Sequence, residues 1–430
     1  MTTKQLYDFF LKHPFVSTDN RKVVAGCLYF ALKGDRFDGN QFAAPALENG
    51  AAYAVVDDHA VVKNDHYLLV GNVLEALQQL AAFHRQQLGC PVLAVTGTNG
   101  KTTTKELIAA VLGARYRVEY TRGNLNNHIG VPLTLLSMTA DTGIGIVEMG
   151  ANHPGEIAFL CSLAKPDYGL VTNMGKAHIE GFGSFEGVVR TKSELYRFLE
   201  ESGGIVFVNG DNDLLLRSVG TKLQRVTYGT GETNFLHGEA IGALPFLKVK
   251  AAVGDLPVTI QTRLVGEYNL ENVLAALSVG AYWNVDPDAM TAAIEAYTPS
   301  NNRSQFISTG RNEIVMAAYN ANPGSMQASI ANFLKLPHQQ KACILGDMLE
   351  LGEVSAAEHQ QIVDMLSEEG GISVFLAGEH FYATRSPEHF LKFPSIEMLL
   401  NHLRERVLSG YLVLIKGSRG MQLEKASPLL

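Results

Sequence analysis

The chain has 430 residues, 46% of them hydrophobic and 18% charged, with a formal net charge of −8. That is material for two or three domains with cores of their own, and the acidic balance leaves no basic surplus for a nucleic-acid backbone. Cys27, Cys90, Cys161 and Cys343 lie far apart without metal-ligand spacing, so they are expected to be reduced, mostly buried thiols of a cytoplasmic protein.

The first residues, MTTKQLYDFF, lack a basic stretch followed by a long apolar one, so no signal peptide is expected. No apolar run approaches the roughly 18 residues of a membrane span. To about residue 86, short apolar strands (CLYFAL, AAYAVV, HYLLV) alternate with Gly- and Asp-rich turns, ending in the helical pattern NVLEALQQLAAFHRQQL. From Pro91 the strand VLAVT runs into the loop TGTNGKTTTKE, and strands GIGIVEM, YGLVTNM and GIVFVN follow at helix-length intervals. Such alternation predicts a parallel, doubly wound sheet. The Gly-rich segment from about 225 to 265 predicts a small β-sheet lying against the main one, and NLENVLAALSVGAYW predicts a helix. From Arg311, strands NEIVMAA, KACILGD, ISVFLAG and YLVLIKG alternate with three helical runs. This layout is Rossmann-like, but no G-x-G-x-x-G follows the first strand, so no dinucleotide is expected. The expected architecture is α/β in three domains, a smaller α/β unit over 1–86, a central phosphate-loop unit over 87–310 with a mostly parallel sheet, and a Rossmann-like unit over 311–430.

Within the loop, Gly97 and Gly100 let backbone N–H groups approach phosphate oxygens, and the helix beginning near Lys101 adds a partial positive charge. Lys101 can bridge phosphates and the Thr102 hydroxyl can ligate Mg²⁺. The loop is shorter than G-x-x-x-x-G-K-[ST], with Val95 where the first Gly belongs. Glu148, ending GIGIVE, stands where a metal ligand would, or is a solvated strand-end carboxylate. His178 in NMGKAHIEGFGS is a metal ligand or a hydrogen-bonding loop residue. Lys192 in TKSELY reads locally as a solvated helical charge.

Further segments share an order with these: GNLNNHIGVPLTLL, VEMGANHPGEI, GEYNLENVLAAL, YNANPGSM, LGDMLELGE and IKGSRGMQLE. Together they resemble the Mur ligases over essentially the whole chain, including TDNRKVVAGCLYFALKGDRFDGN near the start. The short TGTNGKT loop marks the wider family, which includes folylpolyglutamate synthases. GNLNNHIGVPLTLL and YNANPGSM resemble the members that add D-alanyl-D-alanine.

The resemblance implies an ATP-dependent ligase that joins D-alanyl-D-alanine to UDP-N-acetylmuramoyl-tripeptide through an acyl phosphate, in peptidoglycan precursor synthesis. The three domains would bind the UDP-substrate, ATP and the incoming dipeptide in that order, in a monomer. It implies that Gly97, Thr98, Asn99, Gly100, Lys101, Thr102 and Thr103 cradle ATP, with Asn272 and Arg303 as further nucleotide contacts. Two Mg²⁺ ions would be held by Thr102, Glu148, His178 and a Lys192 carbamylated by CO₂, with Lys101, Glu148, His178 and Lys192 serving catalysis. Substrate contacts would come from Asp19, Arg21 and Lys33 at the uridine end, Asn124, Asn126 and Asn127 along the UDP-peptide, and Asn320, Asn322, Lys416, Ser418 and Arg419 at the third domain. The chain departs from the family pattern at Ala317, where an acidic residue is usual. It also has Asn20 where Ser is more frequent and Asn40 where His often stands. A sibling ligase adding another amino acid and a non-catalytic UDP-peptide binder are the alternatives.

Overall fold

The computed structural model describes residues 1–300 and 302–430. Its strands form three main sheets, which follow one another in the order of the sequence. The first holds Val16–Ser17, Leu28–Phe30, Tyr53–Val56 and Tyr67–Leu69, all parallel and in sequence order. Side chains alternate across a strand, so Leu28 and Phe30 pack with Leu6, Leu77 and Leu80 of the helices Thr3–Lys12 and Val73–Gln87. Tyr29 turns the other way, onto Ala43 and Ala46 of helix Ala43–Glu48. All four cysteines are buried and unpaired.

The second sheet has nine strands, and Val92–Thr96 lies inside it between Tyr168–Val171 and Ile144–Glu148. Every residue of Val92–Thr96 is buried. Val92 and Ala94 enter one core while Leu93 and Val95 enter the other. After Val92–Thr96 the chain goes out to the edge strand Val118–Tyr120, returns to Ile144–Glu148 and then crosses to the opposite flank. That reversal makes a crevice at the carboxyl end of Val92–Thr96, the usual place for a ligand in an open α/β sheet. Helix Leu270–Tyr282 is buried over Asn272–Gly280, which accounts for its apolar character on nearly every side.

The segment 225–265 departs from expectation. Gln224–Gly229, Leu236–Gly242, Phe246–Val253 and Leu256–Val265 extend the main sheet rather than packing on it. Gln224–Gly229 pairs in parallel with Ile205–Asn209, and the direction reverses only after Leu236–Gly242. Alternation along a strand reports which face is covered, not which neighbour supplies the hydrogen bonds. The third sheet also begins earlier than position 311, because Gln305–Ser308 pairs antiparallel with Glu313–Ala317. Its other members, Leu412–Lys416, Lys341–Gly346, Ile372–Ala377 and Leu391–Phe393, are parallel. No described helix is long and apolar enough to cross a membrane.

Candidate active site in the cleft between the second and third sheets

A cleft of about 610 Å³ opens at the carboxyl ends of these two sheets. Its floor is the phosphate-type loop. Gly97 has φ +138° and Gly100 φ +78°, values that disfavour side chains. A Cβ on Gly97 would stand 2.0 Å from Thr172 Oγ1, and one on Gly100 would stand 2.6 Å from Asn272 Oδ1. Neighbouring residues fix the loop: the Thr98 N–H donates to the Asn173 carbonyl (2.9 Å), the Asn99 N–H to Asn173 Oδ1 (2.9 Å), and Thr172 Oγ1 to the Asn99 carbonyl (2.6 Å). Gly100 caps helix Lys101–Gly113 with no side chain on the first-turn donors, so those N–H groups face the cleft as an anion site.

Lys101 folds back on the loop, donating to the carbonyls of Gly97 (2.8 Å) and Thr98 (2.9 Å). Burial pulls its pKa down to about 8, Glu148 opposes that shift, and Arg303 adds to it. Glu148 is 1% exposed. It accepts from Thr102 Oγ1 at 2.9 Å and from Asn126 Nδ2 at 2.8 Å. The fully buried Lys105 Nζ lies 3.5 Å from the same carboxylate and donates to the Thr121 carbonyl at 2.7 Å. Nothing in the motif reading singled out Lys105. Its place one helical turn after Lys101 is the available signal, since residues four apart share a helix face.

Lys192 and His178 line the same cleft. Lys192 is 3% exposed, its ammonium 5.7 Å from the Phe182 ring centre, and among the described residues no hydrogen bond or ion pair holds it. Burial first, then Lys101, brings its pKa to about 7, against opposing pulls from Glu156 and Glu194. It is therefore no solvated helical charge. His178 is in left-handed backbone at φ 51°, and its Nδ1 bonds Glu350 of the third-sheet unit. Burial lowers the imidazole pKa, and Glu350 pulls the other way.

Two further contacts join the second-sheet unit to the third-sheet unit. Asn322 caps helix Pro323–Lys335 and gives its Nδ2 hydrogen to Asn99 Oδ1 at 2.7 Å. Lys176 pairs with Glu358 at 2.9 Å. The third-sheet wall carries Asn320 and Lys416. Lys416 donates to the Asn320 carbonyl at 3.3 Å, and burial, then Arg303, lowers its pKa to about 8. Ser418 accepts the Leu349 N–H at 2.9 Å and so supports the loop bearing Glu350. Arg303 reaches the cleft from the linker, while Arg419 lies behind it, 5.0 Å from the Tyr319 ring centre.

The other expected residues divide. Asn124, Asn126 and Asn127 line the cleft, yet Asn126 is spent on Glu148, and Asn127 Oδ1 takes the N–H groups of Ile129 (3.1 Å) and Gly130 (2.9 Å). Asn272 joins Thr104 Oγ1 and Asn269 beneath the loop. Asp19, Arg21 and Lys33 are not brought into this cleft. Asp19 and Arg21 pair at 2.8 Å, and Lys33 pairs with Asp57 at 2.9 Å. Arg21 holds the Asp19 carboxyl down to about 2. Asn40 is buried, donating to Asp38 and Asp57.

Among the described residues no three His, Cys, Asp or Glu side chains converge on one point. The Thr102 hydroxyl and Glu148 carboxylate do converge. One hydroxyl and one carboxylate suit Mg²⁺, which keeps water and substrate phosphates as most of its ligands.

Family models match in chain order. "Mur ligase family, catalytic domain" covers residues 13–85, "Mur ligase middle domain" 95–280, and "Mur ligase, glutamate ligase domain" 302–419. A Bacillus subtilis UDP-N-acetylmuramoyl-tripeptide–D-alanyl-D-alanine ligase is 38% identical over 95% of this chain and 91% of its own. A crystal structure of MurF from Acinetobacter baumannii superposes with a TM-score of 0.85 at 28% identity, covering 99% of this chain and 98% of that one. MurF from Thermotoga maritima in complex with ADP gives 0.84 at 28% identity, over 98% and 97%. With like sequence and like fold extending over the same full length, the chain belongs to the Mur ligase family.

Proposed function

We propose that this protein joins D-alanyl-D-alanine to UDP-N-acetylmuramoyl-tripeptide with ATP, the reaction for which its Bacillus subtilis relative is named. The observation that carries the reading is the convergence of Lys101, Arg303 and Lys416 on a cleft floored by a phosphate-type loop. Three basic side chains around an anion site suit a reaction whose charge grows on phosphoryl and acyl oxygens.

The tripeptide carboxylate attacks the γ-phosphorus, the bond to ADP breaks, and an acyl phosphate forms. The amine of the dipeptide then attacks the acyl carbon, loses a proton, and expels phosphate. Lys101 leaves the Gly97 and Thr98 carbonyls for phosphate oxygens, while the N–H groups of Lys101, Thr102 and Thr103 hold the chain of phosphates. Arg303 and Lys416 steady charge from the third-sheet side, where Asn320 and Asn322 form the dipeptide end and Ser418 and Arg419 support it from behind. Asn272 and Asn126 position the loop and Glu148. Asp19, Arg21 and Lys33 belong to a UDP end on the first sheet, so the three units take UDP-substrate, ATP and dipeptide in turn. The contacts that Asn322, Lys176 and His178 make between the two units hold them together and keep water from the acyl phosphate.

Mg²⁺ bound at Thr102 and Glu148, with a second ion at His178 and Lys192, would neutralise phosphate charge. Lys192 suits carbamylation: its amine is substantially neutral near pH 7, and N–C bond formation with CO₂ releases one proton and leaves an anion. The test is phosphate release by purified protein with UDP-tripeptide, ATP and Mg²⁺. Release that requires D-alanyl-D-alanine supports the reading, and release indifferent to the dipeptide rejects it.

A further inference from the structure

The antiparallel register that sets Gln305 opposite Met316 brings Arg303 beside Tyr319, two residues beyond the strand Glu313–Ala317. The Arg303 guanidinium carbon stands 3.5 Å from the centre of the Tyr319 ring, within stacking distance, and Arg419 lies at 5.0 Å. Among the described residues no hydrogen bond or ion pair holds Arg303, and its Nε is buried without a partner. Ala317, at the end of the same strand, supplies no carboxylate. Lys101 and Lys416 line the same cleft as Arg303, so like charges surround it. A cation so placed, repelled by its neighbours and tied by no acid, needs something to fix its direction.

We propose that Tyr319 is a positioning residue whose ring face aims Arg303 into the nucleotide site, doing without a carboxylate partner. A carboxylate would occupy two guanidinium donors in a fork. A ring face engages the π system and leaves the five N–H donors free for an anion. The stack also makes Arg303 dependent on the third-sheet unit, so phosphate grip and the seating of that unit are coupled. This inference rests on the reading of the cleft as a nucleotide site.

The test is calorimetric titration of the full-length protein with ATP and Mg²⁺, without peptide substrates, alongside thermal unfolding. Tyr319→Leu weakens ATP binding by about 3- to 30-fold, the range of a single cation–π contact, and leaves the unfolding temperature within experimental scatter. Tyr319→Phe keeps wild-type affinity, because the hydroxyl has no part. In an Arg303→Met background Tyr319→Leu has no further effect. Unchanged affinity in Tyr319→Leu, loss in Tyr319→Phe, or an equal loss in both backgrounds each overturns the role given to Tyr319. Should Leu disturb the fold, Tyr319→Met repeats the comparison. Wild-type protein that binds no ATP overturns the nucleotide reading itself, a separate failure.

Discussion

Lys105 is the side chain whose removal has the most calculable cost. It is fully buried, donates to the Thr121 carbonyl at 2.7 Å, and lies 3.5 Å from a Glu148 carboxylate that is itself 1% exposed. Lys105→Met keeps the reach of the side chain and removes only the charge and the donor. Stranding one member of a buried ion pair costs about 3–5 kcal/mol. Glu148 retains hydrogen bonds from Thr102 and Asn126, so the lower end, about 3 kcal/mol, is the expected figure. For a unit of this size, about 2–4 °C per kcal/mol applies, which gives a fall of roughly 6–12 °C in the unfolding temperature. Calorimetric scans in Mg²⁺-free buffer measure it directly. Adding Mg²⁺ narrows the gap, since another cation then faces Glu148, and Glu148→Gln in the same chain recovers part of the loss. A single variant unfolding within about 2 °C of wild type, less than 1 kcal/mol, would refute the ion-pair reasoning, as would a double variant as weak as the sum of the two.

Lys416 gives a pH test. Its folded pKa of about 8 lies below its ordinary 10.5, so between those values the unfolded chain holds a proton that the folded chain has released. Wild type therefore gains stability relative to Lys416→Met as pH rises through that window, by about 3 kcal/mol; urea titrations showing a flat or falling difference would contradict this. Gly97→Ala forces a Cβ to 2.0 Å from Thr172 Oγ1, and strain at such a φ costs of order 1–3 kcal/mol. Weaker ATP binding by at least about 10-fold is expected, and unchanged affinity by titration would show that the loop relaxes freely. Lys192→Ala abolishes ligation, and wild-type activity falls in CO₂-stripped buffer and returns with bicarbonate; full activity in the variant removes Lys192 from the mechanism.

Short-range signals in the chain carried most of the central unit. The strand-loop-helix around Gly97 to Thr102 and the strand ending at Glu148 are legible because each depends on contiguous residues of contrasting polarity. Their meeting, with Thr102 2.9 Å from Glu148, follows from parallel pairing of Val92–Thr96 with Ile144–Glu148. Other features depend on partners far along the chain. Lys105 looks like an ordinary helical cation until Thr121 and Glu148 close over it. Glu350 becomes a partner of His178 only when the third-sheet unit is seated against the second. The strands from Gln224 to Val265 alternate as a separate small sheet would, yet their hydrogen bonds run to the main sheet. Arg303 is a lone basic residue in a linker until antiparallel pairing places Tyr319 under it. Asn126 and Asn127, whose amides read as hydrogen-bonding groups for the substrate, also serve the fold, Asn126 Nδ2 donating to Glu148 and Asn127 Oδ1 accepting from a helix start.

The most direct measurement is the mass of the product. Purified protein is incubated with UDP-N-acetylmuramoyl-tripeptide, D-alanyl-D-alanine, ATP and Mg²⁺, and the nucleotide-sugar species are resolved by mass spectrometry. One new species is expected, equal to tripeptide precursor plus dipeptide less one water, formed in step with ADP and phosphate. ATP consumed without that species, or a single amino acid joined in preference to the dipeptide, would contradict it.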